Sequence, residues 1–285
     1  MPTLHQLDGR PFREVVKNAL IIAYKEDVSR LEIALAAEGL DVQVVRASYT
    51  DNELKYSRNS KTFVAHRTAW HKVVELSGYT LICEADFVPC RGIGDFEVFW
   101  PLDNPYAWGY LYQGSPRILA IVGPHRFLRG HTAPLVCYVI NGAVASLMLK
   151  FFNDEMERYD FRTYFSFDAH LQWYVMGLGG EAYIPMRHYG EHGGLPNPEH
   201  ATLGLQSNQG RHRADNLMSP LHFLPPYANG SYLSFLRVRF LAHLQGLARL
   251  LTGRWFSRTD AYRLQRFDLI RIYLIGLQRL VSWPL

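Results

Sequence analysis

The feature that most constrains this chain is the alternation of short apolar runs with helical patterns across its first third. Asn18 to Tyr24 (NALIIAY) has the length and flanks of a buried strand. Asp27-Val28-Ser29 then opens a helical pattern that runs through Leu31, Leu35 and Ala36 to Gly39, a C-cap glycine. Asp41 to Ala47 alternates and reads as a second strand. A further helix starts at Ser60, with Phe63, His66, Trp70, Val73 and Val74 on one face, and stops at Gly78. Tyr79 to Cys83 is a third strand, followed at once by Glu84-Ala85-Asp86. Strand, helix, strand, helix, strand predicts a parallel α/β sheet whose right-handed crossovers lay helices on its faces.

Beyond this point the pattern loosens. Arg117 to Val122 and Leu135 to Ile140 are strand candidates, Gly142 to Phe152 is a helix candidate and Asp168 to Met176 a shorter one. Residues 186–230 are rich in His, Gly and Pro and are expected to form a long functional loop. Two or three helices follow from Ser231, with a break near Thr252-Gly253. The expected organisation is a catalytic-type domain over 1–230 and a helical C-terminal segment over 231–285.

Glu84 and Asp86 carry the first chemistry. In open parallel sheets, ligands bind outside the carboxyl ends of the strands. Two carboxylates two residues apart, leaving a strand, can address one divalent ion, and hard oxygen ligands suit Mg²⁺ or Mn²⁺ shared with substrate phosphates. Two surface acids in a turn is the plainer alternative.

The stretch Ser60-Lys-Thr-Phe-Val-Ala-His66-Arg-Thr-Ala-Trp70, with Gly78-Tyr-Thr-Leu-Ile-Cys-Glu84-Ala-Asp86-Phe-Val-Pro89, resembles the core of the family 25 glycosyltransferases, the lipopolysaccharide-type sugar transferases. That core has a helix with a Ser-His pair and a Trp, then a hydrophobic strand ending in Glu-Asp-Asp. Here Ala65 stands where Ser is usual and Ala85 replaces the middle acid. Leu20 to Arg30, Val136 to Ala143 and Ser166-Phe-Asp168 are similar to other parts of the family, so the resemblance spans roughly residues 18 to 185. It implies a GT-A-like (Rossmann-like) mixed sheet flanked by helices, a nucleotide-sugar donor (a UDP-sugar favoured), a divalent cation (Mn²⁺ or Mg²⁺) and inversion at the anomeric carbon. The acceptor would be a lipopolysaccharide or other surface glycan, free or lipid-linked.

Under that resemblance Asp168 becomes the general base that an inverting transfer needs; a helix N-cap is its structural alternative. His66 is either a donor contact or a core histidine. Five of the twelve histidines fall in residues 188–222, and His188 and His192 are the candidates to complete the metal site. Arg211 and Arg213 are candidates for the pyrophosphate, because a guanidinium binds phosphate through two hydrogen bonds. Arg30 and Asp51 are candidates for nucleotide contact, and ordinary surface positions otherwise. Two other readings stand beside the transferase: a nucleotidyltransferase, disfavoured because no Gly-rich phosphate loop follows the first strand, and a degenerate, non-catalytic transferase-like domain docked on a membrane.

Composition and charge set the remaining bounds. Hydrophobic residues make up 48% of the chain and charged residues 20%, which fits a packed globular protein and excludes a disordered one. Three cysteines, Cys83, Cys90 and Cys137, with no CxxC, argue against a disulfide framework or structural zinc and favour a reducing compartment. The N-terminus lacks the apolar core of a secretory signal. His131 to Leu149 carries no Asp, Glu, Lys or Arg, but its Pro134, Asn141 and Gly142 read as strand, turn and buried helix start rather than a membrane span. A cytoplasmic protein is expected. Residues 231–285 hold nine arginines against two aspartates while the whole chain is +4. Basic apolar helices of this kind suit an anionic membrane surface, yet the arginines of 263–280 cover more than half of a helical wheel, which suits packing on the domain or a dimer contact equally. No nucleic-acid reader motif is present.

Overall fold

The computed structural model describes residues 9–114, 116–122, 127–132, 134–195, 213–255 and 266–281. Its architecture is α/β, as the alternation predicts, and Rossmann-like with a mixed sheet. The elements are α1 (Phe12–Val15), β1 (Val16–Ala23), α2 (Ser29–Ala37), β2 (Asp41–Arg46), α3 (Arg58–Glu75), β3 (Tyr79–Glu84), β4 (Phe87–Pro89), β5 (Ala107–Tyr110), β6 (Arg117–Val122), β7 (Phe127–His131), β8 (Cys137–Ile140), α4 (Gly142–Arg158), α5 (Phe167–Gly177), β9 (Glu181–Ile184), β10 (Gly190–His192), α6 (Tyr232–Leu251) and α7 (Arg266–Val281).

Eight strands form one mixed sheet in the order β2-β1-β3-β8-β5-β9-β7-β6, and β10 pairs with β4 in a separate two-stranded sheet. β1 runs parallel to β2 and β3, while β8 runs antiparallel to β3. Both faces of the central strands are covered, which is why β1 and β3 read as continuous apolar runs rather than alternating ones. Leu20, Ile22 and Ile82 point into the layer that holds α3, α4 and α5. Ala19, Ile21, Leu81 and Cys83 point into the opposite layer, against Phe12, Leu31 and Leu35 of α1 and α2. Ser57 caps α3 by accepting from the Ser60 amide, and Gly78 turns the chain back into β3 at φ +78°, a backbone setting that favours glycine. Val74, assigned by periodicity to the buried face of α3, is exposed.

Three expectations change. The helix from Gly142 extends to Arg158 rather than Phe152, capped by the Asn141 side chain on the Val144 amide. Asp168 is not an N-cap: Ser166 holds that position and Asp168 lies in the first turn of α5. Residues 186–195 and 213–230, expected as one long loop, contain the strand β10 and are packed against the body. β10 pairs with β4, Cys90 bridges Leu221 and His188 bridges Leu217, and Ala214, Leu217 and Leu221 are buried in the core.

The C-terminal helices join the apolar layer on the other face of the sheet. Leu250, Trp255, Ile272, Ile275 and Leu280 join the same apolar cluster as Phe63 and Trp70, and the Ile118 amide donates to the Trp255 carbonyl at 2.8 Å. Arg279, one of the arginines that blunt the helical wheel, points inward: it is buried and pairs with Asp215. Cys83, Cys90 and Cys137 are buried free thiols.

Candidate functional site

β1 and β3 end side by side, and the chain leaves both into one region. β3 closes with Glu84, and after Ala85 and Asp86 the chain turns directly into β4. Because β10 runs antiparallel to β4 with His192 opposite Phe87, His192 is delivered to Asp86 across a large sequence gap. Glu84, Asp86 and His192 each offer a ligand atom within 4.8 Å of the other two. His192 Nε2 lies 3.1 Å from Asp86 Oδ2, with the two side chains 19% and 33% exposed.

The approach of this arm depends on glycine. A Cβ on Gly194 would stand 2.0 Å from Asp86 Oδ2 and 2.9 Å from His192 Nε2, and one on Gly190 would stand 2.2 Å from the Phe87 ring. No side chain fits at such distances, so the Gly190-Glu-His-Gly-Gly194 run is what lets the arm lie against the carboxylates. Beneath it, Glu191 is fully buried. Its Oε1 accepts from the His192 amide at 3.0 Å and the Ala214 amide at 2.9 Å, and its Oε2 accepts from Arg239 of α6 at 2.9 Å.

Electrostatics favour charge separation at Asp86 and His192. Burial would raise the Asp86 carboxyl, but His192, with Arg213 behind it, outweighs burial and holds the carboxyl below its ordinary range. Burial likewise opposes a charge on His192, and Asp86 outweighs it, so the imidazole titrates above its ordinary value. Asp86 Oδ1 is buried with no hydrogen-bond partner among the described residues. A buried carboxylate oxygen left without a donor is costly. It fits a hard cation, as does a donor set of two carboxylates and an imidazole.

Glu84 is held from the other side. Its Oε1 lies 3.2 Å from His66 Nε2, His66 Nδ1 lies 2.8 Å from Tyr138 Oη, and Trp70 Nε1 donates to Tyr138 Oη at 2.8 Å. A carboxylate only accepts, so the His66 proton facing Glu84 is on Nε2. Nδ1 then accepts from the Tyr138 hydroxyl, which burial keeps protonated by raising its pKa well above the usual value. His66 is completely buried. The relay Trp70–Tyr138–His66–Glu84 thus fixes the direction of a carboxylate, as the outer partners of a metal ligand do. His66 is therefore a support for Glu84 rather than a wall of the cavity.

Beside Asp86 opens a cavity of about 410 Å³ whose lining includes Asp27, Arg30, Ala85, Asp86, Phe223 and Pro226. Arg30 is thereby at the site, on an exposed position of the first turn of α2. Asp168 is nearby as well: its carboxyl is raised to about 7 by burial, with the Glu84 charge adding to the effect.

Other expected residues are placed elsewhere. His188 stands outside the Glu84–Asp86–His192 cluster because both ring nitrogens are engaged: Nδ1 accepts from the Gln113 amide at 3.0 Å and Nε2 faces Asp215 Oδ1 at 2.9 Å. Complete burial lowers its pKa to about 4, so it is neutral and structural. Arg213 reaches the site but is 5% exposed. Its Nη atoms donate to the carbonyls of His192 and Gly194, and its guanidinium lies 4.1 Å over the Tyr227 ring. It clamps the histidine arm instead of presenting a free fork to phosphate. Asp51 is exposed in a turn after β2 and does not line the cavity. Arg211 lies outside the described residues.

Sequence pattern alone gives no site role to Tyr138, Glu191, Arg239 or Asp27. For Glu191 the glycines around it are a usable signal. Nothing local distinguishes Tyr138 from other strand aromatics.

Comparison of the chain with family models and with curated proteins finds no match.

Proposed function

We propose that this protein is a metal-dependent glycosyltransferase that moves a sugar from a nucleotide-diphosphate donor, UDP-sugars favoured, to a hydroxyl of a surface glycan or lipid-linked glycan, with inversion. The observation that carries this reading is the convergence of Glu84, Asp86 and His192 beside a cavity of about 410 Å³ where β1 and β3 end. That volume is in the range of small-ligand sites, and the carboxyl ends of the strands are where ligands of open α/β sheets bind. The resemblance of residues 60–89 to family 25 glycosyltransferases supports the same reading. Ala85, which replaces the family's middle acid, does not weaken it, since three ligand groups are assembled without that carboxylate.

Glu84, Asp86 and His192 would hold the cation, and an imidazole beside two carboxylates favours Mn²⁺ over Mg²⁺. When bound, it supplies neutralisation of the charge that develops on the departing diphosphate. Arg30, exposed on the cavity wall, offers its guanidinium to a donor phosphate. Asp168 takes the proton of the acceptor hydroxyl as that oxygen bonds to the anomeric carbon, and the pair of the broken C–O bond leaves on the diphosphate. A carboxyl with a pKa of about 7 is matched to this task near neutral pH. The relay from Trp70 through His66 holds Glu84 in one direction throughout.

Calorimetric titration of UDP into the purified protein, first with Mn²⁺ and then with EDTA, tests the proposal. Binding that needs the metal and disappears in Asp86→Ala is expected. Absence of binding by UDP, GDP, CDP and dTDP alike, with Mn²⁺ present, refutes it.

A further inference from the structure

α6 and α7 each bury one face and leave the opposite face apolar and open. On α6 the inward side holds Arg239, Ala242, Gly246 and Leu250. Its outward side exposes Leu233, Phe240, Leu241, Leu244 and Leu251. At 100° per residue these five fall within an arc of roughly 100°. On α7 the inward side holds Ile272, Ile275, Arg279 and Leu280, and the outward side exposes Ile270, Leu274, Leu277 and Val281, spaced by four, three and four residues. Exposures of 77% for Leu233, 69% for Leu251 and 81% for Val281 are large for apolar side chains. The two helices pack against each other, so the stripes lie on neighbouring elements, each an aligned row rather than scattered exceptions.

The charge carried by these two helices is predominantly positive. α6 contains no acidic residue in its twenty, and α7 contains only Asp268. Arg237 is exposed within the first stripe, Arg271 flanks the second, and Arg254 is exposed just past the end of α6. Long arginine stems can lie along the apolar surface while their charged heads reach a layer of anions. No described helix is long and apolar enough to cross a bilayer, so the arrangement suits resting in a membrane interface, not spanning it.

We infer that the outward faces of α6 and α7 together form a docking surface for an anionic lipid bilayer. A protein partner of matching shape would have to bring its own acids to an arginine-bearing face, whereas an anionic lipid surface presents them at any register. The orientation has a consequence for the site. Arg239, on the inward face of α6, pairs with buried Glu191, the neighbour of His192. The helix that would rest on lipid is therefore the same one that anchors the metal-binding arm. The docking inference does not depend on the chemistry at that arm.

Co-sedimentation of the full-length protein with vesicles decides it. The probes are phosphatidylcholine alone and phosphatidylcholine with about one third phosphatidylglycerol, at low and high salt. Binding to the anionic vesicles, weakened by salt and by the absence of phosphatidylglycerol, is expected. Arg237→Gln with Arg271→Gln is expected to lower partitioning by roughly fivefold per arginine. Leu233→Ser with Leu274→Ser should lower it while leaving the circular dichroism spectrum and melting temperature unchanged, since both leucines are solvent-exposed. Failure to sediment with anionic vesicles overturns the inference, as does unchanged binding in both double variants. Light scattering that finds a dimer dispersed by the leucine variant also overturns it, by assigning the face to a second copy of the chain.

Discussion

Asp168→Asn is expected to make the protein more stable and less active, and the sign of the first effect follows from its carboxyl. In the folded state that carboxyl titrates near 7 against an ordinary 3.8, mainly because burial disfavours its charge. Between those values the folded protein holds a proton that the unfolded chain has released, so stability falls as pH rises through the window. Three units at about 1.4 kcal/mol each set a ceiling of about 4 kcal/mol. The side chain retains partial contact with solvent, which brings the expectation to about 2 kcal/mol. Asparagine is uncharged at every pH and resembles the protonated acid. The variant and the parent should therefore have equal stability near pH 4 and separate as pH rises, with the variant ahead by about 2 kcal/mol near pH 8. Urea denaturation in EDTA at about pH 4, 6 and 8 measures this directly. Turnover should meanwhile fall by about 10² to 10⁴ if Asp168 takes the acceptor proton. A gap that is the same at all pH values, or a variant less stable than the parent near pH 8, would refute the reasoning.

Four further outcomes test the arm and its support. His192→Ala should abolish Mn²⁺-dependent nucleotide binding. In the parent, the same binding should weaken as pH drops through the raised pKa of His192, because only the neutral imidazole coordinates; pH-independent affinity would count against His192 as a ligand. Gly194→Ala should lower Mn²⁺ affinity by displacing Asp86 from His192, with nucleotide binding at saturating metal partly restored. Arg239→Met should cost about 3–5 kcal/mol in denaturation experiments because it leaves Glu191 buried without its cation, and a loss below about 1 kcal/mol would show that the pair is not desolvated.

How far the sequence discloses this molecule depends on the reach of each interaction. β1, β2, β3, α2 and α3 are legible because each is written in contiguous residues, and so is the exit of Glu84 and Asp86 from a strand. His192 is not separable from His188 by spacing alone. What separates them is β10 pairing with β4, which spends the nitrogens of His188 on Gln113 and Asp215 and leaves His192 facing Asp86. The glycines at 190, 193 and 194 are the local trace of that pairing. The wheel for the last helix misleads for a related reason. It treats every arginine as a surface residue, while Arg279 finds Asp215 from a packed segment 64 residues earlier.

Long-range pairing also ties the C-terminal helices to the candidate site. Asp215 receives His188 on one side and Arg279 of α7 on the other, and Glu191 receives the amides of His192 and Ala214 and the guanidinium of Arg239 of α6. Both acids are buried, so removing either helix leaves charges that burial penalises in the segments flanking His192. The arm has only three residues in β10 and glycines on both sides of Glu191-His192, too little local structure to hold a ligand in place alone. Beyond its pairing with β4 and the Arg213 clamp, its support comes from α6 and α7. A chain cut after residue 230 is accordingly expected to lose the Asp86–His192 geometry even where β1, β2 and β3 still pair.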